Sequence, residues 1–254
     1  DLSPLKEVPK HVELRQMVDA INVFLAKVRE STERERVFIA DAAHELRTPL
    51  AAMRINVEAL QSYASIDSQQ ELLAGIIRSN SRAARLVNQL LLMMHSEAHI
   101  DTVMGPVPLA TLVQERMAVL APLAAERRLE LEFYSQDEVW ITGARERLMS
   151  LIDNLIENAV KYSPEGGRVE VDIRTLEKST QLRVSDSGPG ISLDFRERVF
   201  DRFFRDPNQT QNGSGLGLAI VKAVAQQHNS TVCLSTSAEG GLMVIVTFPN
   251  QKLG

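Results

Sequence analysis

Glu146-Arg-Leu-Met-Ser-Leu-Ile-Asp-Asn-Leu-Ile-Glu-Asn-Ala-Val-Lys-Tyr162 is followed at once by Ser163-Pro-Glu-Gly-Gly167 and then by Arg168-Val-Glu-Val-Asp-Ile-Arg-Thr175. The first run places Leu151, Leu155 and Ile156 on one side of a helical repeat. The Ser-Pro-Glu-Gly-Gly segment stops the helix and turns the chain. The third run alternates apolar and polar residues, and it reads as a strand paired with residues 181–185. Helix, turn and paired strands in this order predict an α/β layer. The pattern extends in both directions. Residues 109–127 read as a helix, and 129–133 and 139–141 as short strands. Residues 215–228 read as a helix, and 231–236 with 242–248 as a closing hairpin. The result is one domain over 109–254, of a usual domain size. Gly105, Pro106 and Pro108 mark residues 101–108 as a linker before it.

Upstream the pattern is helical throughout. Leu14, Val18, Ile21, Leu25 and Val28 recur in steps of four and three, and Ile39, Ala42 and Leu46 resume the seam. Such a heptad is the mark of helices packing on helices. The intervening residues 29–36 carry both signs of charge and read as solvated coiled coil. Pro4 and Pro9 keep helix from starting much before residue 10, and Pro49 is expected to bend or loosen the helix around 45–49. Met53, Val57 and Leu60 continue the pattern. Residues 62–68 read as a short turn. A second helix then carries Leu73, Ile76, Ala83, Val87, Leu90 and Met94 on one stripe, interrupted by Asn80. Two long helices joined by a short turn form an antiparallel hairpin. Its uncovered apolar stripe predicts a homodimer closed as a four-helix bundle.

The composition narrows the function classes. The 254 residues hold 28 Lys and Arg against 33 Asp and Glu, a net charge of −5, so charge gives no reason to expect a nucleic-acid partner. Cys233 is the single cysteine, which excludes an internal disulfide or a Cys-based zinc cluster and fits a reducing compartment. Aromatics are only 5%, in keeping with a helical bundle filled by Leu, Ala and Met. No apolar run approaches the roughly 18 residues of a membrane span, and no signal-peptide pattern opens the chain.

Four clusters carry chemistry. In Phe38-Ile-Ala-Asp-Ala-Ala-His-Glu-Leu-Arg-Thr-Pro-Leu50, His44 lies two residues from both Ala42 and Leu46 and so points away from their seam. Thr48 stands one turn on, on the same face, and Glu45 is its neighbour. A neutral imidazole becomes a good nucleophile when a carboxylate accepts its other proton. In the second cluster, Asn154 and Asn158 share a helix face, and their amide oxygens suit Mg²⁺. Lys161 is one position off that face, within reach of a phosphate. The third is Asp186-Ser-Gly-Pro-Gly-Ile191, a carboxylate at a strand end followed by glycines that admit a ligand to the backbone. This arrangement suits a purine amino group. Phe200-Asp-Arg-Phe-Phe-Arg205 follows, with aromatics beside arginines. The fourth, Gly213-Ser-Gly-Leu-Gly217, opens a helix whose N-terminal amides suit phosphate. It is neither a dinucleotide fingerprint, since the spacing and a closing acidic residue are missing, nor a Walker loop, which ends in Gly-Lys-Ser/Thr.

Taken in order, these clusters resemble the histidine kinases of two-component signalling over nearly all of residues 31–250. His44–Pro49 is similar to that family's H box, Asn154–Pro164 to its N box, Asp186–Gly190 to its G1 box, Phe200–Phe204 to its F box and Gly213–Gly217 to its G2 box. The H box looks most like the sensors that pair with OmpR-type regulators. Residues 1–30 are similar to the end of a HAMP helix and its signalling linker, and 31–100 to the dimerising phospho-acceptor hairpin. The resemblance implies the two-layer ATP-binding fold shared with gyrase and Hsp90 over 109–254. It implies His44 as phospho-acceptor, Glu45 as its base or orienting carboxylate, and Thr48 as positioning water in a reverse phosphatase reaction. Asn158 would ligate Mg²⁺ with Asn154 in support. Lys161, Tyr162, Gly188, Gly190, Arg202 and Phe203 would contact ATP, Asp186 would bind its adenine amino group, and Gly213, Gly215, Leu216 and Gly217 would form a lid at the phosphates. A receiver-domain aspartate of a response regulator would take the phosphoryl group, with Arg54 and Glu58 on the docking face. The chain would be the cytoplasmic piece of a sensor anchored in the inner membrane.

ATP-hydrolysing members of the larger fold family carry a Glu where Asn154 stands. An amide cannot activate water there, so the nucleophile is expected on the other domain. The competing classes are a gyrase-type ATPase and a catalytically silent dimeric scaffold. Three departures from the family pattern stand out. Ala144 replaces a helix-capping Asp, His228-Asn-Ser230 replaces a glycine pair, and Gly240-Gly-Leu242 replaces a Gly-Thr-like pattern.

Overall fold

The computed structural model describes residues 12–60, 66–97, 103–136, 138–207, 211 and 213–250. The chain divides into two compact units, Asp1–Arg85 and Leu86–Gly254.

The first unit is helical. α1 (Val12–Leu60) runs unbroken for 49 residues, and α2 (Ile66–Glu97) passes from the first unit into the second. Pro49 lies inside α1, buried, and does not interrupt it. Of the expected turn, residues 62–65 lie outside the described residues, while Ile66–Ser68 are already helical. α1 and α2 meet where Gly75 faces Asn56, since a Cβ on Gly75 would stand 2.7 Å from Asn56 Nδ2.

The seam is partly as expected. Phe38, Ala42 and Ala83 are buried, and Val18, Ile21, Leu25, Val28, Leu46 and Met53 are half-buried. Leu14, Ile39, Val57 and Leu73, also assigned to the seam by spacing, are exposed in the single chain, as an uncovered stripe requires. Val37, Phe38 and Ile39 are consecutive apolar residues, so the arc is wider than one stripe and Phe38 takes the inward place. In the part of α2 that belongs to the second unit, Leu86, Leu90 and Met93 are buried while Val87 and Met94 are exposed. The charged stretch 29–36 remains helical, with its described side chains exposed and Thr32 Oγ1 donating to the Val28 carbonyl at 2.9 Å.

The second unit is built on a five-stranded sheet. Its strands are β2 (Glu130–Ser135), β4 (Arg168–Thr175), β5 (Ser179–Asp186), β7 (Leu242–Pro249) and β6 (Thr231–Thr236), in that spatial order. β2 and β4 are parallel and the other pairs antiparallel. α3 (Leu109–Glu126), α4 (Arg145–Tyr162) and α5 (Gly217–Gln227) lie side by side as the second layer, with α4 central over β4 and β5. The inward row of β4 is Val169, Val171 and Ile173, and that of β5 is Thr180, Leu182, Val184 and Asp186. Against them α4 buries Leu148, Leu151, Ile152, Leu155 and Ile156. Burying such side chains contributes roughly 1.5–3 kcal/mol each. Arg116 of α3 binds Asp153 of α4 through both carboxylate oxygens, at 2.7 and 3.0 Å.

The segment read as linker is partly structured. Gly105–Pro108 forms β1, antiparallel to β3 (Trp140–Gly143) in a separate two-stranded sheet. Prolines are tolerated there because β1 is an edge strand and need not donate on its free side. α3 follows without a capping side chain of its own, and the Glu138 carboxylate accepts the Ala110 and Thr111 amides at 3.0 and 3.2 Å. Among the described residues no helix is long and apolar enough to cross a membrane.

The departures at Ala144 and His228 meet in space. Ala144 is the N-cap of α4 and offers no side-chain cap, but its amide donates to His228 Nε2 at 3.0 Å. His228 Nδ1 lies 2.7 Å from the Val224 carbonyl, so the bond network fixes a neutral ring with the proton on Nδ1. Asn229 takes the left-handed conformation at φ 51° that a glycine would otherwise supply. Burial lowers the His228 pKa below the ordinary histidine value. The unfolded chain therefore takes up the proton first, and stability that is complete above about pH 6.5 is lost as pH falls below it. Unfolding free energies from urea titrations, measured downward from pH 7, should show a slope of up to about 1.4 kcal/mol per pH unit. His228→Gln keeps an acceptor for Ala144 and should remove that slope.

Candidate functional site

The second unit gathers most of the chemistry-bearing clusters. Asp186 ends the inward row of β5, so its phase with Leu182 and Val184 carries it to the helical layer. It is 7% exposed. Its Oδ1 accepts the Gly188 amide at 2.9 Å and the Leu242 amide at 3.0 Å. Both bonds fall on one oxygen, which leaves Oδ2 to a ligand's donor. Burial raises the carboxyl pKa, and the two amides oppose that rise. The second of these bonds comes from the backbone of Leu242, so the departure at 240–242 does not remove it.

The wall behind Asp186 is built from backbone. Ser237 Oγ donates to the Asp186 carbonyl at 2.7 Å and accepts the Gly241 amide at 2.9 Å. A Cβ on Gly241 would fall against the Asp186 carbonyl oxygen, and lie 2.6 Å from Oδ1 and 2.8 Å from its carbonyl carbon. These atoms are held by the β4–β5 ladder, where Asp186 pairs with Val169. Gly241→Ala is therefore expected to cost at least about 2 kcal/mol of stability, which thermal unfolding checks.

The carboxamides of Asn154 and Asn158 sit one turn apart on α4, facing the first residue of α5. A Cβ on Gly217 would lie 2.8 Å from Asn158 Nδ2 and 3.4 Å from Asn154 Oδ1. Asn154 is anchored, with Nδ2 donating to the Ser150 carbonyl at 2.7 Å and Oδ1 accepting Gln89 Nε2 at 3.2 Å. Gln89 Oε1 in turn accepts Ser214 Oγ at 3.3 Å. Lys161 Nζ reaches the Tyr162 hydroxyl at 2.8 Å and lies against Gly213. A Cβ on Gly188 would lie 2.7 Å from the Tyr162 carbonyl. The N, G1 and G2 clusters thus converge.

Gly215 has φ +69°, and a Cβ there would meet the Phe203 carbonyl carbon at 2.6 Å and the Phe204 oxygen at 2.8 Å. The F and G2 clusters therefore pack backbone to backbone. Phe203 is itself left-handed at φ 59°. Arg202 and Phe203 are half-buried, and Gly190, at φ +70°, lies beside Gly240 and Gly241. α5 begins at Gly217, two residues later than expected, so Gly213–Leu216 is loop. Leu216 is fully buried and offers a ligand its backbone alone. Among the described residues no three His, Cys, Asp or Glu side chains form a metal cluster. The donor set fits a cation held largely by water and phosphate oxygens, with one amide from the protein.

In the first unit, His44 is exposed on α1, Glu45 is half-buried beside it, and Thr48 is exposed one turn on. Arg54 and Glu58 are exposed and paired at 2.6 Å. Gln89 and Ser237 carry no local sequence signal, because their partners lie 51 to 125 residues away, whereas Gly241 stands in the departure at 240–242, where the sequence assigns it no role.

Comparison with known proteins adds the family. Residues 34–99 match the His Kinase A (phospho-acceptor) domain, and residues 143–252 match the histidine kinase-, DNA gyrase B- and HSP90-like ATPases. The chain is 34% identical over 255 residues to the sensor protein kinase PmrB of Pseudomonas aeruginosa, which covers 99% of this chain and 53% of that protein. It is 32% identical over 244 residues to the signal transduction histidine-protein kinase BaeS of Escherichia coli, covering 94% and 52%. A solved structure of the mycobacterial sensor histidine kinase MprB is 30% identical, with a TM-score of 0.53, over 58% of this chain and 97% of that one. The chain spans about half the length of the curated relatives it matches. A phospho-acceptor hairpin followed by an ATPase-like two-layer domain defines the class. The chain belongs to the sensor histidine kinases of two-component signalling.

Proposed function

We propose that the chain is a Mg-ATP-dependent histidine autokinase that phosphorylates His44 and passes the phosphoryl group to a response-regulator aspartate. The reverse, phosphatase reaction on that regulator belongs to the same reading. One observation carries it. The two carboxamides of Asn154 and Asn158 face the glycine that opens α5, with an amide where a water-activating carboxylate would stand. Such a site binds a nucleotide and does not hydrolyse it.

In this reading Oδ2 of Asp186 accepts the adenine amino group, and Lys161 with the backbone at Gly213–Gly217 holds the phosphates. Asn158 is the protein ligand of Mg²⁺, and the ion supplies charge neutralisation at the transferring phosphoryl group. His44 attacks the γ-phosphorus in line through a ring nitrogen, the bond to the β–γ bridging oxygen breaks so that ADP leaves, and Glu45 takes the other ring proton. Thr48 orients water for the phosphatase step. Residues 1–30 are assigned to the HAMP-like end and linker, 31–100 to the phospho-acceptor hairpin, 101–108 to the connection and 109–254 to the ATP-binding domain, with 1–11, 98–102 and 251–254 lying outside the described residues. The exposed apolar residues Ile39, Ile55, Leu73 and Ile77 support a homodimer with a four-helix bundle. The full-length protein is anchored in the inner membrane, with this portion in the cytoplasm.

Incubation with γ-labelled ATP and Mg²⁺ should give a phosphoprotein whose label is lost in acid and kept in alkali. Multiple-turnover phosphate release with no phosphoprotein would instead identify a gyrase-type ATPase. No binding of ATP would identify a silent scaffold.

A further inference from the structure

α4 carries Asn158, Lys161 and Tyr162 in its last turn and a half, so its C-terminal end sets where three site residues point. That end has carbonyls without helical partners. Ser163 satisfies the Ala159 carbonyl through both its amide, at 3.1 Å, and its hydroxyl, at 2.8 Å. The Arg127 guanidinium takes three more. Nη1 donates to the Val160 carbonyl at 2.8 Å and to that of Lys161, and Nη2 donates to that of Ser163 at 2.9 Å. The Arg127 carbonyl accepts the Gly166 amide at 3.2 Å, beyond the turn. The Tyr162 carbonyl is passed over, and it is the one that lies against Gly188 of the Asp186 loop.

We infer that Arg127 is a positioning residue for the nucleotide site. Its planar fork pins the end of α4 so that Lys161 and Tyr162 stand at a fixed distance from Asp186–Gly190. The positive charge also sits at the negative end of the α4 dipole, where a cation is stabilising. Arg127 touches no ligand in this reading, and it acts through the backbone of residues 160–163. Lysine would retain the charge without the fork, so it cannot replace all three bonds.

The inference rests on the nucleotide-site reading, and one experiment separates them. ATP is titrated calorimetrically into the parent chain, Arg127→Ala and Arg127→Lys, and KM and maximal rate for autophosphorylation are measured beside thermal midpoints. Arg127→Ala is expected to raise the Kd and KM for ATP roughly ten-fold, with a smaller change in maximal rate. Arg127→Lys should raise Kd about three-fold. Unchanged Kd and KM with only a lowered midpoint would make Arg127 merely structural and overturn the inference. If Arg127→Ala fails to fold, a parent-like Kd for Arg127→Lys overturns it equally. A parent chain that binds no ATP overturns the site reading itself.

Discussion

His44→Gln is expected to bind Mg-ATP as tightly as the parent and to take up no acid-labile phosphate. The substitution is safe for the fold. His44 is exposed on α1, outside the row of Phe38 and Ala42, so no core contact is lost. Glutamine also has a better helix propensity than histidine, which keeps the 49-residue helix intact. The residues proposed to bind the nucleotide lie in the other unit and are untouched. In the autokinase reading only the nucleophile goes, because an amide nitrogen has no basic lone pair to attack phosphorus. Labelling should drop at least about a hundred-fold. The measurement is incorporated label per chain, with ATP affinity determined in the same preparation. Parent-like labelling of His44→Gln would remove His44 from the mechanism.

Much of the fold could be read from periodicity, because each element of the second unit buries one face. β4 and β5 alternate cleanly, and α4 shows a helical stripe, so the layer was legible. β1 was not, since its two prolines read as a break and only its partner β3 makes it a strand. In the hairpin the difficulty is different. Both helices carry apolar residues over a wide arc, and spacing cannot say which stripe faces the partner helix and which stays outward. Phe38 for Ile39 is that ambiguity resolved.

The candidate site shows the same division. Clusters contiguous in sequence, such as Asp186–Gly190, could be named directly. Their supports could not. The cap for Ala144 comes from His228, 84 residues on, and the wall behind Asp186 from Ser237 and Gly241. Such partners are set by β-register and helix packing, and neither leaves a local signal. Ala144, which stands where a capping Asp is expected, becomes one half of a bond that two departures make together.

Asp186→Asn is expected to weaken ATP binding about a hundred-fold while leaving the fold as stable as the parent, or more so. The amide oxygen of Asn can take the place of Oδ1 and accept the Gly188 and Leu242 amides. The second atom changes from an acceptor to an NH₂ donor. In the nucleotide reading it then meets the adenine amino group donor to donor, so a charge-assisted bond is replaced by a repulsion. Stability moves the other way. Burial raises the Asp186 pKa above its ordinary value, which means the ionised form is disfavoured in the fold. A group so shifted contributes stability below its unfolded pKa and loses that contribution as pH rises through its folded pKa. At neutral pH the charge is therefore a cost, and Asn removes it. The same shift makes ATP affinity of the parent decline on acidification earlier than an ordinary aspartate would allow, since the protonated oxygen no longer accepts. Calorimetric Kd values for ATP from pH 7.5 downward should show that decline in the parent and not in Asp186→Asn. A variant that keeps parent-like affinity at neutral pH would place adenine elsewhere.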